Sequence, residues 1–89
     1  MPEVRHRGIT LLDVRFGQRL REVRNARGLS VRELSARTGI PTLAIYKAEG
    51  GRQALSLGRA VLACRALGVD LALMAADEPL PSAVFGARP

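Results

Sequence analysis

The chain has 89 residues, with 14 Lys+Arg against 8 Asp+Glu for a net charge of +6, and it is 47% apolar but only 3% aromatic. That length supports one domain, and the apolar fraction excludes a disordered basic tail. A single cysteine and a single histidine (His6) exclude an internal disulfide framework, a Cys-based zinc site and a His-cluster metal or catalytic pair, which leaves a small, Leu/Ala/Val-packed intracellular domain with no implied cofactor.

Residues 1–9 read as a loose arm, and they lack the apolar segment of a secretory signal. Thr10 followed by Asp13 marks a helix start, and Leu12, Phe16, Leu20 and Val23 recur at helical spacing up to Gly28, a left-handed stop. Ser30-Val31-Arg32-Glu33 has the form of a capping box for a second, short helix that Gly39 ends. Ile40-Pro41 forces an extended residue and then a proline suited to a first helical position, so a third helix runs from Pro41 or Thr42 to Glu49 and stops at Gly50-Gly51. Ser56 caps a fourth helix with Leu57, Val61, Leu62 and Leu67 as its packing positions and Gly68 as its stop. Cys64 among the alanines and leucines of that helix reads as a small core residue.

After Gly68 the period changes. Val69, Leu71, Leu73 and Ala75 alternate, which favours a short strand over a fifth helix. A lone strand needs a partner, so this one is expected to pair with another chain. Residues 77–89 hold three prolines and little periodicity, and are expected to be a disordered tail; Phe85 there is either an anchor for a partner or incidental. The longest apolar stretch, residues 57–76, is broken by Arg59, Arg65 and Asp70, which a membrane span would not carry. The chain is therefore read as cytoplasmic.

The charge is unevenly placed. Residues 1–52 hold 11 basic and 5 acidic side chains, whereas residues 53–89 hold 3 of each, so the whole surplus lies in the first part. A basic half joined to a neutral, apolar half suits a nucleic-acid surface joined to an assembly surface. The second and third helices strengthen this. Two short helices joined by a glycine-centred turn make a helix-turn-helix when a small residue stands at the close approach (Ser35), a residue tolerant of positive φ stands in the turn (Gly39), and the inner side is apolar (Leu34, Ile40, Ile45 and Ala48).

With those residues in place, residues 16–71 resemble the Cro/phage-repressor (Xre) helix-turn-helix family, on the segments RLREVRNARGLSVRELSARTGI and IYKAEGGRQALSLGRAVLACRALGVDL. The resemblance implies a mainly α fold: a four-to-five-helix, lambda-repressor-like domain over residues 10–76, here with a short C-terminal β-strand pairing across a dimer. It also implies that Arg24 and Glu49 form a structural ion pair between the first and third helices. Two positions depart from the family: Val31 replaces a frequent glutamine, and Leu55 replaces a frequent proline.

If the third helix enters the major groove, Thr42, Leu43, Tyr46 and Lys47 are the residues left facing outward. Thr42 suits a base or a thymine methyl, Leu43 offers apolar contact, and Tyr46 and Lys47 reach phosphates or a base. Arg52, Arg32, Arg37 and the Ser30 end of the second helix are the phosphate candidates. Tyr46 as a packing residue, and Lys47 and Arg52 as solvated charges, are the plain alternatives. The helix has no Arg, Asn or Gln at its forward positions, so bidentate base readout is not available from it.

The segment LSLGRAVLACRALGVDLALM resembles the fourth helix and C-terminal strand of HipB-type antitoxins. That resemblance implies a homodimer closed through Val69, Leu71, Leu73 and Met74, a palindromic double-stranded DNA operator and a HipA-like kinase toxin as partner. The function expected is a sequence-specific transcriptional repressor, the antitoxin of a HipBA-like pair that autoregulates its operon. The alternatives are a stand-alone Xre-type repressor, or a protein-interaction module with vestigial DNA binding. No phosphate-binding glycine loop, nucleophile–base pair or metal set points to an enzyme.

Overall fold

The computed structural model describes residues 8–86; His6 and most of the expected arm lie outside them. Six helices follow in order: α1 (Leu11–Ala26), α2 (Val31–Thr38), α3 (Thr42–Glu49), α4 (Leu57–Leu67), α5 (Leu71–Ala75) and α6 (Ser82–Gly86). α1 is the spine. It packs against α3, α4, α5 and α6, while α2 packs against α3 and α4.

The first two helices begin with reciprocal caps. The Thr10 hydroxyl accepts from the Asp13 N–H (3.1 Å) while the Asp13 carboxylate accepts from the Thr10 N–H (2.9 Å). Ser30 and Glu33 repeat the arrangement at 3.0 and 2.8 Å. Each box satisfies two backbone donors that a helix start would otherwise leave unpaired. At the end of α1 the Leu29 N–H returns to the Arg24 carbonyl at 3.1 Å around Gly28, and between α2 and α3 Gly39 (φ +80°) supplies the left-handed turn residue. Within that turn the Ser35 hydroxyl donates to the Ile40 carbonyl at 2.6 Å. Leu20, Val23, Val31, Leu34, Ile40, Ile45, Ala63, Leu67 and Met74 meet in one core.

Three expectations are corrected. The first concerns residues 69–76. Among the described residues there is no strand; Leu71–Ala75 is helix α5, with the Asp70 carboxylate accepting from the Ala72 N–H at 3.1 Å. An alternating strand would turn Met74 away from Leu71 and Leu73, whereas a helical turn carries Met74 inward, where it is fully buried. Val69 and Leu71 pack against the same core, and Leu73 is half-buried. Those residues, expected to close a dimer, hold α5 on its own chain.

The second concerns the inner face of α4. Ala60, Ala63, Cys64 and Leu67 are buried, while Leu57 and Leu62 are exposed. Small side chains let α4 approach its neighbours closely, so the larger leucines are the ones left outside. The third concerns the expected tail. α6 stands in it, and Leu80 and Val84 pack against the core; prolines punctuate the segment without preventing a short helix between them.

Candidate nucleic-acid interface

α3 is fixed from behind by two devices. Gly17 of α1 lies against the α3 backbone so closely that an added Cβ would fall within contact of the Ala48 carbonyl oxygen and 2.9 Å from its carbon. Beside it, Arg24 makes a two-pronged pair with Glu49, Nε to Oε2 at 2.7 Å and Nη2 to Oε1 at 2.9 Å, and its third prong donates to the Leu29 carbonyl at 2.7 Å. Both side chains of the pair are about nine-tenths buried or more. The Glu49 hydrogen bond holds the guanidinium above its ordinary pKa against the opposing effect of burial. Arg24 is therefore an interior charge and not part of an outer surface.

With Ala44, Ile45 and Ala48 buried, the opposite side of α3 is presented outward. Thr42, Leu43 and Tyr46 are exposed there, Leu43 at 61% and Tyr46 at 58%, and Lys47 is half-exposed. Tyr46 is therefore not a packing residue. Arg52 follows in the exposed turn, held by its N–H on the Lys47 carbonyl at 2.8 Å. On α2, Arg32 and Arg37 are exposed, and Ser30 stands at the exposed start. Val31, at the family's glutamine position, is buried in the core, so no polar backbone contact comes from it. Glu33, bonded to the Ser30 N–H and hydroxyl, is held below the ordinary glutamate pKa.

Gln53 was not among the residues singled out from sequence. The Gly50-Gly51 turn, with Gly51 at φ +72°, brings the chain back so that Gln53 lies beside Pro41, Leu43, Ala44 and Lys47 around a small concavity. The Gly-Gly pair was the available signal, because a left-handed turn directly after a helix returns the next residues along its flank.

Arg19 of α1 and Arg27 at its C-cap turn inward, whereas Arg21 stays exposed. Arg19 donates to the carbonyls of Leu73 (2.9 Å), Ala76 (2.7 Å) and Glu78 (2.7 Å), and Arg27 donates to those of Leu67 (2.8 Å) and Val84 (2.6 Å). Phe85, on α6, shares a cleft with Leu11, Val14 and Leu80 of its own chain. Cys64 is buried, and burial pushes its thiol up to about 11.

A family model described as a helix-turn-helix domain matches residues 15–76, the span from α1 to just past α5. The chain belongs to the helix-turn-helix family. Two solved structures are similar to this helix-turn-helix protein. One is the clp gene regulator ClgR from Corynebacterium glutamicum, at 29% identity, covering 74% of this chain and 70% of that one with a TM-score of 0.69. The other is the restriction-modification controller protein C.AhdI from Aeromonas hydrophila, at 34% identity, covering 70% of this chain and 94% of that one with a TM-score of 0.65. No curated protein matches the chain. Among the described residues no helix is long and apolar enough to cross a membrane, and no cluster of His, Cys, Asp or Glu is placed to hold a metal ion.

Proposed function

We propose that this helix-turn-helix protein is a transcription regulator that binds double-stranded DNA, acting as a repressor with α3 in the major groove. The observation that carries the reading is the two-sided character of α3. One side is locked to α1 through Gly17 and the Arg24–Glu49 pair, and the other presents Thr42, Leu43, Tyr46 and Lys47 with nothing packed over Leu43 and Tyr46. A rigidly backed helix with an open outer face is what groove entry requires. In this arrangement Ser30, Arg32, Arg37 and Arg52 contact phosphates. The similarity to the clp gene regulator ClgR and the controller protein C.AhdI supports the regulatory role.

The antitoxin reading drew on a C-terminal strand at residues 69–76. With α5 in that place, the stand-alone regulator is the reading kept, and a kinase-like toxin is no longer implied by any residue. A two-fold dimer on a palindromic site remains part of the proposal, with a different surface. A mainly apolar cavity of about 300 Å³, lined by Leu12, Phe16, Leu55, Leu57 and Leu71 together with Asp13 and Gln53, opens beside exposed Leu12 and Leu57, and a second copy is its proposed occupant. Sedimentation of the wild type against Leu57→Glu tests it; an unchanged monomer in both refutes the dimer.

The test of DNA binding is recovery of a duplex from a random pool, followed by titration at increasing salt. A protein neutralising six or more phosphates loses about 10³–10⁵-fold in affinity between 50 and 200 mM salt. Arg52→Ala and Arg37→Ala should each lower the salt slope by about one without changing the preferred sequence. No recovered duplex, or a flat salt response, refutes the reading and leaves a protein-interaction module.

A further inference from the structure

The outer face of α3 carries no arginine, asparagine or glutamine, yet it has a shaped feature. Pro41, Leu43 and Ala44 form the apolar side of a concavity of about 190 Å³, and Lys47 and Gln53 form its polar rim. This is smaller than the roughly 300–1,000 Å³ typical of small-molecule sites. It suits a single group projecting from a surface. Lys47 beside it and Arg52 one residue before Gln53 give the rim a positive character that matches a nucleic-acid backbone. Gln53 is exposed and borders both this concavity and the cavity assigned above to a second copy, and no described residue takes its side-chain amide in a hydrogen bond.

In the major groove a thymine presents a 5-methyl group and an adenine presents N7 with the N6 amino group; apolar side chains meet the first, and glutamine pairs bidentately with the second. Leu43 and Gln53 stand on the same concavity, one apolar and one amide. We infer that they form a composite reader of thymine and adenine: the thymine methyl enters against Leu43 and the Pro41–Ala44 floor, and Gln53 takes N6 and N7 of an adenine in the same or the adjacent pair. This rests on the DNA-binding reading above and assigns its selectivity. The amide missing from α3 itself is supplied by the turn that follows it.

The experiment uses the full chain and duplexes it recovers from a random pool. Each recovered duplex is remade with deoxyuridine replacing thymidine, one position at a time, and separately with 7-deazaadenine replacing adenine, which removes N7. Wild type should lose about four-fold in affinity for each contacted methyl removed, and about ten-fold at the contacted adenine, at one or two positions in each half-site. Leu43→Ala should shrink the deoxyuridine effect and keep the 7-deazaadenine effect; Gln53→Ala should lose the 7-deazaadenine effect and keep the deoxyuridine effect. Both side chains are exposed, and retained salt-dependent binding to unrelated duplex shows that the variants are folded. Equal wild-type affinity for all duplexes overturns the inference while leaving DNA binding intact, and so does wild-type discrimination persisting in both variants. Failure to recover any duplex overturns the DNA-binding reading itself, and the inference with it.

Discussion

Gly17→Ala tests how closely α1 and α3 approach. Gly17 is buried in the interior of α1, so helix propensity alone favours alanine there by about 1 kcal/mol. The packing opposes it. An added Cβ would stand 2.9 Å from the Ala48 carbonyl carbon, roughly 0.6 Å inside the ~3.5 Å that carbon–carbon contact prefers, and nearer still to the oxygen. The obstacle is backbone, so no rotamer change relieves it, and the two helices must separate. Overpacking of this kind costs about 1–3 kcal/mol where side chains can adjust, so a net loss of about 2 kcal/mol or more is expected after the propensity gain. Because α3 carries the proposed DNA face, its retreat from α1 should also weaken DNA binding. Urea unfolding followed by far-ultraviolet circular dichroism measures the stability, with Gly58→Ala on α4 as the control. An added Cβ at Gly58 meets nothing within 4 Å, so that variant should gain stability. If Gly17→Ala gains as much as Gly58→Ala, the close approach of α1 and α3 is refuted.

Glu49→Ala strands the buried Arg24 charge and should cost about 3–5 kcal/mol, with part of the loss recovered when Arg24→Met is added, as urea unfolding of the single and double variants will show. Arg19→Ala removes the donors on the Leu73, Ala76 and Glu78 carbonyls and should cost about 2 kcal/mol while speeding proteolytic cleavage within residues 74–82. Glu33 has a lowered pKa in the folded chain, so its contribution is complete above the unfolded glutamate pKa and is lost as pH falls through the lowered folded value; Glu33→Gln should flatten that acid limb of the stability curve. Cys64, its thiol pushed up to about 11 by burial, should react with a disulfide reagent at pH 8 only as fast as the chain opens, and a rate like that of a free thiol would contradict its burial.

What could be read from sequence was local. The caps at Thr10, Ser30 and Ser56 and the glycine stops at Gly28, Gly39 and Gly68 each depend on residues within five positions, and α1, α2 and α4 follow from them, while α3 is bounded by Pro41 and Gly50 without a side-chain cap. α5 escaped because its main support comes from far away: the Arg19 guanidinium bonds the carbonyls at its C-terminal end from more than fifty positions earlier. A five-residue helix cannot sustain itself alone, so the alternating pattern of its side chains was a poor guide without that partner. The inner face of α4 was misjudged for a related reason. Size marked Leu57 and Leu62 as core, but closeness of approach selects Ala60 and Ala63. Gly17 carries no local signature and matters because of where Ala48 lies; Gln53 is marked only indirectly, by the Gly50-Gly51 pair that turns the chain before it.

The same distinction changes the meaning of the net charge. The surplus of residues 1–52 looks like a footprint for an anion, yet of the arginines on α1 and at its C-cap all but Arg21 have partners within the chain. Arg24 is paired with Glu49, Arg15 reaches Asp77 at 3.0 Å, and Arg19 and Arg27 sit at the C-terminal ends of α5 and α4. Helix C-termini concentrate partial negative charge on unpaired carbonyls, so a guanidinium there serves as a cap and complements the dipole at once. A fork of fixed donors can bridge several carbonyls, which a lysine ammonium does less well. The preference for arginine in α1 thus has a structural cause independent of any ligand. Among the described residues, the exposed or half-exposed cations of α2, α3 and the following turn are Arg32, Arg37, Lys47 and Arg52, and Arg21, Arg59 and Arg65 are exposed elsewhere, on α1 and α4. Of the first four, Lys47 borders the concavity that Leu43 and Gln53 line, and Arg52 directly precedes Gln53. On the proposed DNA-binding reading, charge supplies attraction to the backbone, and discrimination between sequences falls to uncharged residues such as Leu43 and Gln53.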